Sequence, residues 1–75
     1  PSAPGRPGVV LEFKRVWVEE GETPDQALND AQRQITERRY AAELWAAGSS
    51  VVYAVAIAFE GKRVWARGEQ VSPPA

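Results

Sequence analysis

The chain contains no cysteine and no histidine. Disulfide staples, thiolate metal sites and any Cys–His or Ser–His catalytic pair are thereby excluded. Neither sign of charge is in marked excess, since nine basic and ten acidic residues leave a net charge of −1. Bulk charge gives no reason to propose a nucleic-acid or membrane partner, although a local basic patch stays open. No apolar run reaches transmembrane length, and the opening PSAPGRPG has no apolar stretch of the kind that marks a signal peptide. A soluble, cytoplasmic protein without a membrane partner is the default expectation. At 75 residues this is one small domain or part of one, burying about 60–65% of its unfolded surface. Without staples, such a domain relies on its apolar core, on self-association, or on further chain.

What the chain does have is clear punctuation. Residues 1–8, rich in proline and glycine, are expected to form a flexible lead-in or an opened loop. GVVLEFKRVWV follows and predicts a strand over 9–18. GETPDQ then signals a helix start, with Thr23 as N-cap, Pro24 at the first helical position and Gln26 completing a capping box. Leu28, Ala31, Ile35, Ala42 and Trp45 recur at helical spacing and predict a single helix over 24–47, with Gly48 at the left-handed C-terminal position. In SVVYAVAIAFE, large residues on one side alternate with small ones on the other, so a central strand covered on both faces is expected. A tight turn over 60–63 leads to a short last strand over 64–67, and residues 68–75 are expected to form a flexible tail. The result is an α/β domain over 9–67 with the order β-α-β-β. A long crossover helix joins a parallel strand pair, and the last strand returns antiparallel as a hairpin.

One feature of the first strand demands a reason. Side chains alternate along a strand, so Glu12 and Lys14 project from the same face, roughly 6–7 Å apart, bracketed by Val10, Val16 and Val18. Buried and unpaired, either charge would be costly. Three readings compete. The pair can be an exposed ion pair worth at most about 1 kcal/mol. It can be half of a metal-dependent phosphodiester site. It can be a salt-bridged relic of such a site, kept for folding or contacts. For the second, Glu12 supplies a carboxylate of the kind magnesium takes, and Lys14 orients water and offsets charge on a phosphate. Phe13 lends its backbone carbonyl while its side chain enters the core. Glu-x-Lys is common by chance and does not decide among them.

The strand GVVLEFKRV, the helix TPDQALNDAQRQITERRYAAEL and the hairpin VYAVAIAFEGKRVWA, taken in that order, resemble the PD-(D/E)XK nuclease superfamily. They are most similar to the nuclease-like C-terminal region that follows an AAA-ATPase-like domain in many bacterial and archaeal proteins. The resemblance covers roughly residues 8 to 67 and implies part of a restriction-endonuclease-like core. It also implies magnesium as cofactor, nucleic acid as substrate of the intact protein and an AAA-ATPase-like domain earlier in the same chain. Glu12 and Lys14 fill the acidic-x-Lys positions, with the Phe13 carbonyl as backbone metal ligand. Gln34 and Tyr40 match family positions and are supporting candidates. The family's metal-binding Asp lies on the preceding strand, and no acidic residue precedes Val9. Either the chain is a C-terminal fragment, the favoured reading, or the site is degenerate. In both cases the 75 residues are expected neither to bind magnesium tightly nor to cut nucleic acid. A non-catalytic interaction module with Glu12–Lys14 as a structural pair is the rival.

Arg33, Arg38 and Arg39 on the helix, with Lys62 and Arg63 in the hairpin turn, are candidate phosphate contacts. Glu37, Glu43 and Glu60 are interleaved with them, which favours a solvated surface. Most aromatic residues are assigned to the core. A three-stranded sheet leaves a strand edge unpaired, so homo-oligomerisation through that edge is expected.

Overall fold

The alternation in the first apolar run produces strand β1 (Gly8–Arg15) in the computed structural model, which describes residues 5–73. A single 3₁₀ turn (Val18–Glu20) closes on Gly21. The predicted cap then starts helix α1 (Pro24–Arg38): the Gln26 amide N–H donates to Thr23 Oγ1 at 3.2 Å, and the Thr23 N–H donates to Gln26 Oε1 at 2.8 Å. Helix α2 (Tyr40–Ala46), β2 (Val52–Glu60) and β3 (Arg63–Val71) complete the chain. The sheet order is β1-β2-β3, with β1 parallel to β2 and β2 antiparallel to β3. This is the expected mixed α/β arrangement with β2 central. Glu60 pairs with Arg63 across a two-residue loop whose first residue, Gly61, has φ 57°, as type II′ hairpin turns require.

The core forms between the helices and one face of the sheet. Ala54, Ala56 and Ala58 of β2 are buried beneath Ala27, Leu28, Ala31 and Ile35 of α1, with Val10, Val16 and Val52 at the ends. The row of alanines lets α1 approach the sheet closely, and the larger residues fill the periphery.

The structure departs from expectation in several places. The helix is not continuous, because Arg39 takes a left-handed backbone (φ 58°) between α1 and α2. An unbroken helix over 24–46 would run about 34 Å, whereas the strands span about 26–30 Å, so it would overshoot the sheet. The break brings Tyr40, Ala41, Leu44 and Trp45 back onto Val10, Ile35, Val52 and Ala54. Gly48 does hold a left-handed conformation (φ 92°) past the end of α2, and the Ser49 N–H donates to the Leu44 carbonyl at 3.1 Å, a Schellman closure. β3 continues to Val71 instead of stopping at Arg67, because residues 68–71 pair with the start of β2. The end of the proposed lead-in is also pinned: the Gly5 N–H donates to the Gly48 carbonyl and the Ser50 N–H to the Arg6 carbonyl. The rest of that lead-in (1–4) and the end of the tail (74–75) lie outside the described residues. Finally, both helices pack on one side only, so the central strand is covered on a single face.

No helix among the described residues is long and apolar enough to cross a membrane.

Candidate functional site

Strand parity puts Val10, Glu12 and Lys14 on the helix-covered face of β1, and Val16 follows them just past its end. The two valines are buried, and the ions between them are partly shielded by the flank of α1. The Glu12 side chain is 14% exposed. Gln34 of α1 lies directly over the pair. In the amide orientation that sets donor against acceptor, Gln34 Nε2 donates to Glu12 Oε1 at 2.6 Å and Gln34 Oε1 accepts from Lys14 Nζ at 3.2 Å. One neutral amide therefore bridges the carboxylate and the ammonium.

Arg38 stands one helical turn after Gln34 and so shares its flank. Its Nη1 lies 3.5 Å from Glu12 Oε1 and donates to the Tyr40 hydroxyl at 3.3 Å. The Tyr40 hydroxyl first, then the Glu12 carboxylate, hold the Arg38 guanidinium more firmly in its charged form than in a free arginine. The structure thus brings together Glu12, Lys14, Gln34, Arg38 and Tyr40. It does not bring the other cations to them. Arg39 faces a separate cavity of about 450 Å³, lined also by Ile35, Trp45, Glu69 and Val71. Lys62 occupies the hairpin tip, and Arg63 stacks over the Trp65 ring at 4.8 Å.

Phe13 corrects one expectation outright. Its side chain leaves the core for the helix-free face and is 58% exposed. Its carbonyl direction follows from pairing. Gly8 and Val16 donate their N–H groups to Val51 and Phe59, and backbone groups alternate sides along a strand. The peptide groups of odd-numbered Phe13 therefore point to the unpaired outer edge of β1.

A second polar cluster, unanticipated from the sequence, sits on the other flank of α1. Arg67 of β3 donates to Asn29 Oδ1 (2.7 Å) and Gln32 Oε1 (3.0 Å) through Nη1, and to Asp25 Oδ1 (3.2 Å) through Nη2. The spacing of Asp25, Asn29 and Gln32 was visible as one helix stripe, but nothing local pointed it at Arg67. Arg33 pairs within its own helix, 2.9 Å from Asp30 and 4.0 Å from Glu37, as a solvated helix face does.

Magnesium takes six oxygen ligands, one or two of them carboxylates and most of the rest water. Around Glu12 the described residues supply one carboxylate, whose Oε1 already faces a guanidinium and an amide nitrogen, with an ammonium beside it. No group of three or more His, Cys, Asp or Glu converges among the described residues. This donor set does not fit a divalent cation, because two cationic side chains repel the ion that a single carboxylate would have to hold. The surface cavity nearest in sequence, lined by Val9, Val10, Leu11, Tyr40, Glu43 and Leu44, does not include Glu12 or Lys14. The comparisons identify no relative: no family model, no curated protein and no solved structure matches this chain.

Proposed function

We propose that the chain carries the Glu-x-Lys half of a PD-(D/E)XK-like nuclease site, the complete protein being a phosphodiesterase that acts on nucleic acid. The observation that supports this reading most is the Gln34 amide, which holds Glu12 and Lys14 side by side on one face at 2.6 and 3.2 Å. A carboxylate next to an oriented ammonium is an arrangement that can serve phosphodiester hydrolysis, the ammonium meeting charge that develops on the phosphate. Lys14 would meet charge building on the phosphate, Arg38 is a second cation within reach of the same oxygens, and the Phe13 carbonyl is free at the strand edge. Tyr40 keeps Arg38 in place. Magnesium, expected as the cofactor of the complete enzyme, would need a further carboxylate from outside residues 5–73. Glu12 would also have to exchange Arg38 for it. An AAA-ATPase-like domain in the same gene product belongs to this reading.

A second reading keeps Glu12, Gln34 and Lys14 as a structural clamp in a non-catalytic interaction module. The Arg67 cluster favours it, since the opposite flank of α1 is moored by the same kind of polar bridge with no implied chemistry. A plasmid-nicking assay on the complete gene product separates the two. Under the nuclease reading, nicking is metal-dependent and Glu12→Ala and Lys14→Ala each reduce it by at least about a hundredfold. Equal cleavage by both variants, or none by the parent protein, leaves the module.

A further inference from the structure

The face of the sheet turned away from α1 and α2 is apolar across all three strands. Val9, Leu11, Phe13, Tyr53, Phe59 and Val64 stand on it with exposures between 37% and 65%. Together they expose roughly 600 Å², the upper end of the largest apolar patch on a typical monomer. The face is also nearly free of charge. Among its strand residues only Arg15 is ionic, and Arg15 sits at a corner, 4.1 Å over the Trp17 ring and 3.9 Å from Glu19. An occupant of this face therefore needs no counter-ion.

We propose that the occupant is a second copy of this chain, packed sheet on sheet through an isologous two-fold contact. An apolar face with its one ion at a corner can serve as its own complement, and two such faces stack about 10 Å apart with their strands within about 30°. Covering both patches completely removes about 1,200 Å² from water, which reaches the lower end of the range for stable protein–protein interfaces. This moves the self-association expected at the strand edge onto the sheet face, where the exposed apolar area lies. The edge strand β1 then stays outside the contact, and so does its Glu12–Lys14 flank.

Sedimentation equilibrium of this chain, from low micromolar to millimolar concentration, tests the proposal and should give a monomer–dimer equilibrium. Leu11→Glu places two carboxylates in the contact and should weaken association at least about tenfold with an unchanged far-UV circular dichroism spectrum. Val64→Lys, on a different strand, should do the same, which separates lost association from lost folding in either variant alone. In mixed-label NMR of the unaltered chain, contacts between copies should connect Phe13, Ile57 and Phe59. A monomer at every concentration overturns the proposal, as do inter-copy contacts confined to the backbone edges of β1 or β3. It is equally overturned if the complete gene product stays monomeric while this face is shielded from an apolar dye, since another segment of that chain would then be the occupant.

Discussion

Gln34 and Arg67 do parallel work on the two flanks of α1. Each joins the helix to an outer strand through polar atoms, and the alanines of β2 fill the middle. Replacing Gln34 by leucine keeps the volume but leaves Glu12 and Lys14 without the bridging amide. The expected loss is about 1 kcal/mol, discounted for partial exposure, read as a lower urea midpoint with an unchanged slope. Arg67→Leu should cost a similar amount because three helix acceptors lose their shared guanidinium. Of these contacts, only the Glu12–Lys14 side of the first was legible in the sequence, since it follows from strand parity alone. Gln34 was marked only by family resemblance. Arg67 was invisible, because its partners lie 35 to 42 residues away and only the fold brings them together.

Local signals specified most element starts and left some ends open. The Thr23 capping box, the Gly61 turn and the alternation in β2 each act within a few residues; the first two form as expected, and β2 forms as the central strand but is covered on one face only. The break at Arg39 has no glycine or proline to announce it. There the Arg39 N–H closes on the Thr36 carbonyl, and the turn lets α2 pack back onto Val10 and Val52. A left-handed non-glycine residue costs about 1–2 kcal/mol, so Arg39→Gly should raise stability by up to about 1 kcal/mol in thermal denaturation. The sign is diagnostic, because glycine inside an unbroken helix would lower stability by a similar amount. β3 outran its expected end because Gly68, Glu69 and Gln70 have little strand character of their own. Their pairing with Tyr53, Ala54 and Val55 supplies it.

Taken whole, the chain is a two-layer structure, helices over sheet, whose second sheet face is uncovered. From sequence alone Phe13 is expected in the interior, on the side of the strand it shares with Val9 and Leu11. An apolar pattern shows that a face seeks cover and does not say who provides it. If a second copy provides it, melting becomes a bimolecular event. The midpoint temperature of this chain should therefore rise with protein concentration, and the rise should vanish in Leu11→Glu. A midpoint independent of concentration would mean that the single copy is stable on its α1-facing core alone.

The register carries one more consequence. Gly8, Val52 and Val71 stand abreast at one end of the sheet, while Gly61 and Lys62 turn at the other. Segments 5–8 and 71–73 are therefore separated by about two strand spacings, roughly 10 Å. A bridge of a few flexible residues suffices to splice them, and the backbone can be reopened between Gly61 and Lys62 with every ladder intact. A circular permutant of residues 5–73 opened there is expected to keep both strand ladders, with its new ends at the opposite end of the sheet.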